Sequence, residues 1–137
     1  MLAFKDFAPA QIYKSGPYVV SEDDISMFCN VLGHSLEMLS FAEQAMFNQW
    51  AGSSLTMLLL ASGEIQVSGG TVGLGIDNLE WGVPIQPKDT LVVDSQVLEV
   101  RESRSNADFG IVTMRSTTKN QHGEIVQVCT HSIRVEK

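Results

Sequence analysis

The sequence predicts an α+β fold in which an antiparallel sheet wraps round one long central helix, and three observations predict it. The run Leu55, Met57, Leu58, Leu59, Leu60 and Ala61, inside the stretch from Phe41 to Ile65, is too continuously apolar for a surface helix. A helix apolar on every side has to be enclosed. From Gly69 to Lys137 the pattern reads as strands, and strands following a single buried helix suit a layered α+β arrangement. The last three strands are joined by too few residues for parallel crossovers, so they form an antiparallel meander. With 137 residues, the chain is expected to be one domain, 1–137, large enough for a hydrophobic core of its own.

In chain order, residues 1–16 hold Phe4, Phe7, Ile12 and Tyr13 among polar residues, with Pro9 and the Gly16-Pro17 pair interrupting any helix, and read as a lead-in segment and turn. Tyr18 to Val20 is a short β-prone run. Ser21 and Asp24 have the spacing of a capping box, and Ile25, Phe28, Cys29 and Leu32 then recur on one helical face. The loop 33–40 leads into a short helix over Phe41 to Phe47. Trp50 to Ser54 reads as a boundary before the buried helix, which would place Ser53 and Ser54 at its start, as caps or as an anion cradle. Four glycines between Ser68 and Gly75 weaken regular structure there. A strand over Ile76 to Trp81 is followed by a turn at Gln86 to Asp89. The strand Thr90 to Arg101 alternates Leu91, Val93, Ser95 and Val97 on one side. Strands over Phe109 to Thr118 and Glu124 to Val135 flank a hairpin loop at Asn120 to Gly123.

Apolar residues make up 44% of the chain and charged residues 18%, the composition of a globular protein. No segment of 18 or more apolar residues predicts a membrane span, and MLAFKDFAPA does not read as a secretory leader. Nine basic against 16 acidic residues give a net charge of −7 without a Lys or Arg cluster, which argues against nucleic acid as a partner. Cys29 and Cys129 read as small buried hydrophobes, and a reducing cytoplasm is the expected location. Cys129 and His131 share a strand face, but two residues do not make a metal site, and no metal or other cofactor is expected. There is no GxSxG elbow. His34 stands in a Gly-Ser loop where an imidazole can serve as acid or base near neutral pH, with Glu37 close enough to be its partner. Ser62 either faces a pocket or bonds back to a carbonyl one turn earlier.

From about Tyr18 to the C-terminus, the chain resembles the MaoC-like branch of the hot-dog superfamily. The most specific portion is Asn78-Leu79-Glu80-Trp81, Val83-Pro84 and Lys88-Asp89-Thr90, in which Ile85 follows the Pro and Lys88 replaces the family's Gly. The resemblance implies a hot-dog fold, a homodimer or higher oligomer, and acyl-CoA or related acyl-thioester ligands bound near the dimer interface. It also implies hydration of enoyl thioesters or dehydration of 3-hydroxyacyl thioesters, by an Asp and a His four residues apart before the central helix. A backbone N–H at that helix's start would polarise the thioester carbonyl.

The dyad is where this chain departs. One register of the resemblance places Val31 and Leu36 at the Asp and His positions, and the other places His34 and Leu39 there. The family's His-Gly falls on Ser53-Ser54, while Ser62-Gly63 matches its Ser-Gly. The expected function is therefore a hydratase or dehydratase with relocated acid–base groups, His34 and Glu37 as catalytic candidates, and Ser53, Ser54 and Ser62 as substrate-binding candidates. A non-catalytic acyl-thioester-binding or partner subunit, or a thioesterase using Glu37 or Glu43, are the alternatives.

Overall fold

A computed structural model describes residues 1–31, 33 and 36–137, without the side chains of Phe28 and Leu36. Its elements are β1 (Ile12–Val19), α1 (Glu22–Val31), α2 (Phe41–Ser62), β2 (Val72–Trp81), β3 (Thr90–Glu102), β4 (Phe109–Lys119) and β5 (Ile125–Glu136). Among the described residues the strands form one antiparallel sheet in the order β1-β3-β4-β5-β2. The meander β3-β4-β5 is as expected. Leu91, Val93, Ser95 and Val97 are buried side by side on β3, as their alternation requires.

Helix α1 starts where its capping box places it. The Ser21 amide donates to Asp24 Oδ2 at 2.8 Å, and the Asp24 amide donates to Ser21 Oγ at 3.1 Å. Helix α2 corrects the sequence reading. It begins at Phe41 behind a second capping box, Ser40 with Glu43, and runs unbroken to Ser62. Trp50 to Ser54 is therefore no boundary, and the amides of Ser53 and Ser54 are interior ones. Packing overrides the poor helix propensity of Gly52, Ser53 and Ser54. A Cβ on Gly52 would lie 3.4 Å from Ile85 Cγ2 and 3.6 Å from Val126 Cγ1, so its bare backbone seats the helix against these buried side chains.

Two strands were only partly legible. β1 runs straight through Gly16-Pro17, where local sequence suggests a turn, because β3 pairs with both halves of it and a register shift between Ser15 and Tyr18 absorbs the irregularity. β2 starts inside the glycine-rich stretch, with register shifts between Gly73 and Gly75 and between Ile76 and Asn78. It lies at the edge of the sheet.

The core has two parts on the same face of the sheet. Ile25, Leu55, Leu59, Ile85 and Leu91 pack together at one end, and Phe7, Val97, Val112, Met114 and Val135 at the other. A polar seam separates them. Ser95 Oγ and Ser116 Oγ are 2.8 Å apart, Ser116 Oγ is 2.8 Å from His131 Nε2, and Thr56 of α2 meets Thr118 at 2.7 Å. Every one of these polar atoms is paired, so the seam costs little to bury.

Enclosure of α2 is incomplete, which corrects the expectation of a helix covered on all sides. Ala51, Leu55, Thr56 and Leu59 are buried, whereas Met57 and Leu58 are 64% and 50% exposed, and Met46 and Trp50 are exposed as well. The helix is apolar all round as predicted, yet the described residues leave its outward side open.

The turn before β3 explains the one residue that departs from the family's Gly-Asp-Thr. Lys88 has φ +73°, the left-handed region in which a side chain is strained and glycine is not. Its amide donates to the Val20 carbonyl at 2.7 Å, while the buried Asp89 carboxylate takes the Gln86 amide at 2.8 Å and Gln121 Nε2 at 2.9 Å, so the conformation is held from both sides. Lys88→Gly is expected to raise stability by about 0.5–1 kcal/mol, the relief of strain less the added freedom of the unfolded glycine. Chemical denaturation checks the sign.

Candidate functional site

One face of α1 and one face of α2 enclose a cleft. Asp24, Met27 and Val31 recur at i, i+3 and i+7 on α1, and Ala51, Ser54 and Leu55 at i, i+3 and i+4 on α2, so each set projects to one side of its helix. Together they line an open space of about 240 Å³ whose walls are mostly apolar. Asp24 is the exception. Its oxygens both lie 2.9 Å from the Tyr18 hydroxyl, which donates to them and thereby holds the phenol's pKa above its ordinary value, with partial burial adding to the shift. Ser54 contributes a hydroxyl that donates to the Trp50 carbonyl at 3.0 Å.

The sequence candidates separate in space. Ser54 lines the cleft, through its side chain and not through a first-turn amide. Ser53 points the other way, into the sheet: Trp81 Nε1 donates to its hydroxyl at 3.0 Å, and the hydroxyl lies 2.6 Å from Gln127 Oε1. With Trp50 packed edge-on against Trp81 at 5.0 Å, these residues pin the middle of α2 to β2 and β5. Ser62 bonds back to the Leu58 carbonyl at 2.8 Å, two turns beyond Ser54 and away from the cleft lining. Glu37 is exposed on the short 3-10 turn Leu36–Met38. His34 lies outside the described residues. Val31, one of the residues that a register of the resemblance places at a dyad position, is part of the cleft wall.

Asp24, Met27, Ala51 and Leu55 did not stand out from the sequence as site residues. Asp24 had a sufficient explanation as a helix cap, and only its spacing to Met27 and Val31 marked a second face beside the core-facing one.

The seam contains the imidazole of His131. Burial pushes its pKa below the ordinary value of 6.5, so the ring is held neutral where it meets Ser116. The unfolded chain binds that proton more readily, and stability therefore rises with pH across the interval. Below about pH 6.5 the protein is expected to lose stability progressively until the folded-state value is passed. His131→Gln keeps a hydrogen-bonding group without the titration. Unfolding midpoints from pH 5 to 8 should flatten in this variant, and an unchanged slope would put the acid sensitivity elsewhere.

No protein-family model and no curated protein matches the sequence. Solved structures do match. A MaoC-like dehydratase from Rhodospirillum rubrum is 27% identical and superposes with a TM-score of 0.83, covering 100% of this chain and 98% of its own. The (R)-hydratase PhaJ1 from Pseudomonas aeruginosa, 22% identical, shares the fold with a TM-score of 0.72 over 98% of this chain and 86% of its own. A Mycobacterium tuberculosis protein with a double hotdog fold, 16% identical, matches with a TM-score of 0.71 over 98% of this chain and 44% of its own. The motif at Asn78 to Thr90, a sheet packed on one long apolar helix and the end-to-end superposition agree: the chain has the hot-dog fold and is similar over its whole length to a MaoC-like dehydratase.

Proposed function

We propose that this protein is an acyl-thioester hydratase or dehydratase that receives the acyl group in the cleft between α1 and α2. The observation that carries the reading is an almost wholly apolar cleft, with Asp24 and Ser54 among its lining residues, in a fold matched end to end by a MaoC-like dehydratase. CoA or a carrier protein presents the substrate, and no metal or other cofactor takes part. His34 and Glu37, in the segment joining the two helices, supply the acid–base groups in this scheme, and Ser54 and Ser53 act on the α2 side, Ser62 lying too far from the cleft to share in it. Ser53 does so by seating the helix, since its hydroxyl is engaged by Trp81 and Gln127. The reading places the protein in the cytoplasm, where the buried Cys29 and Cys129 remain thiols.

The working form is a homodimer. A second copy accounts for two surfaces that the described residues leave open: the outer edge of β2, with exposed Val72, Leu74 and Ile76, and the outward stripe of α2. The match to less than half of a double hotdog chain supports a neighbouring module of the same kind.

Incubation of the purified protein with crotonyl-CoA tests the activity, with loss of the enoyl absorbance as the readout and free-thiol release followed alongside. Hydration supports the proposal. Tight binding without turnover favours a non-catalytic partner subunit instead, a reading to which Val31 in the cleft wall lends weight because an aliphatic side chain there can move no proton. Thiol release would transfer the protein to the thioesterases.

A further inference from the structure

Between Lys14 and Arg101 the chain carries eleven Asp and Glu residues and a single Lys or Arg, Lys88. The described residues that line the cleft all fall inside this span. The arm that carries an acyl thioester bears phosphate, on CoA and on a carrier protein alike, so it approaches this part of the chain against an unfavourable field. A local cation is what offsets such a field. The cations from the rest of the chain are engaged or distant. Lys14 pairs with Asp94 at 2.9 Å, Arg115 Nη2 donates to Gln96 Oε1 at 2.9 Å, and the Arg134 guanidinium lies 4.1 Å from the centre of the Phe109 ring. Arg101, Arg104 and Lys137 stand at the end of β3 remote from Thr90, and Lys5 lies beside Phe4, which packs on Gly110 at that same end. Lys119 alternates with Thr118, which meets α2, and so occupies the other face of the sheet.

Lys88 is exposed, and among the described residues its ammonium has no ion-pair partner. The fold seats it next to both walls of the cleft. Its amide donates to the Val20 carbonyl at 2.7 Å, one residue before Ser21 joins Asp24 of the α1 wall in the helix cap. Three residues earlier, Ile85 packs in one core cluster with Ala51 and Leu55 of the α2 wall. Lysine is also the costly residue at this place, because its φ of +73° is one that glycine adopts without strain. Ala10 shares that φ in the lead-in turn and brings no functional group. A strained position that keeps a charged side chain points to a use for the charge.

Resting on the acyl-thioester reading above, we infer that Lys88 binds the phosphate of the arm that presents the acyl group. The acyl chain occupies the apolar cleft, the pantetheine arm runs out past the start of α1, and the ammonium meets the phosphate at the turn before β3. The chemistry recognised is the phosphate that CoA and a carrier protein's phosphopantetheine have in common. The contact is particular to this chain, since Lys88 stands where the resembled family has Gly.

The test uses three saturated thioesters, which neither gain nor lose water: S-butyryl-pantetheine, S-butyryl-4′-phosphopantetheine and butyryl-CoA. Calorimetric titration of the wild-type protein at low salt is expected to show the phosphorylated arm binding about threefold to fivefold more tightly than the unphosphorylated one, the worth of an exposed ion pair. The difference should shrink as salt is added. In Lys88→Gly, where strain is relieved, it should fall below about 1.5-fold while S-butyryl-pantetheine binds as before. Lys88→Gln keeps the strained backbone without the charge and should behave likewise, whereas Lys88→Arg should retain the gain. Equal binding of the first two probes by the wild-type protein overturns the inference, and so does a gain that survives in either neutral variant. Butyryl-CoA identifies the source. A Lys88-dependent gain no larger than that of phosphopantetheine supports a contact with the shared phosphate alone, and a larger one supports free CoA, whose further phosphates the lysine also meets. If S-butyryl-pantetheine binds and phosphate changes nothing, only the role of Lys88 falls; if none of the three binds, the acyl-thioester reading falls with it.

Discussion

Ser54→Phe is expected to weaken acyl-CoA binding by about 100-fold or more, roughly 2.8 kcal/mol, without lowering the stability of the fold. Ser54 is exposed on α2, and its hydroxyl bonds back to the Trp50 carbonyl within the same helix, so among the described residues its side chain makes no hydrogen bond to another element. A phenyl ring at this position enters the cleft and lies among Met27, Val31 and Leu55. The ring then takes up much of the space of about 240 Å³ and stands in the path of an acyl chain. Burying the ring against these side chains adds apolar contact, so the thermal midpoint should stay level or rise slightly. Opposite signs for binding and stability identify a ligand site. Unchanged binding would move the acyl group out of this cleft.

Gly82→Ala is expected to destabilise the protein by about 3 kcal/mol, a loss of roughly 10 °C in the thermal midpoint for a domain of this size. Where β2 ends, the Gly82 amide donates to the Val126 carbonyl at 2.8 Å and the Val83 amide to the Ile125 carbonyl at 2.9 Å. A Cβ on Gly82 would overlap the Ile125 carbonyl oxygen, which is backbone and cannot rotate aside. Either β5 shifts or these hydrogen bonds are lost. The neighbouring Trp81 and Gln127 hold Ser53, so the same displacement loosens α2 at the level of the cleft. Gly73→Ala, in the same strand but with open space around the added atom, is the control and should change stability by no more than about 0.5 kcal/mol.

The sequence by itself determined the features whose cause is local. The capping box at Ser21 and Asp24, the buried alternation from Leu91 to Val97, the turn at Gln86 to Asp89 and the hairpin at Asn120 to Gly123 each depend on residues a few positions apart, and each is found where it was expected. The motif from Asn78 to Thr90 was enough to indicate the hot-dog fold. Only the tertiary structure decided what depends on distant partners. Gly52 and the two serines after it look like a helix boundary until Ile85 and Val126 close on them, and Gly16-Pro17 looks like a turn until β3 pairs along both sides of it. The cleft belongs to the same class. Asp24 and Ser54 are thirty residues apart in the chain, and a helix-capping residue becomes part of a cleft wall only because α1 and α2 pack with those faces toward each other. Local propensity acts over one or two turns, whereas a site is a meeting of surfaces that only long-range packing brings together.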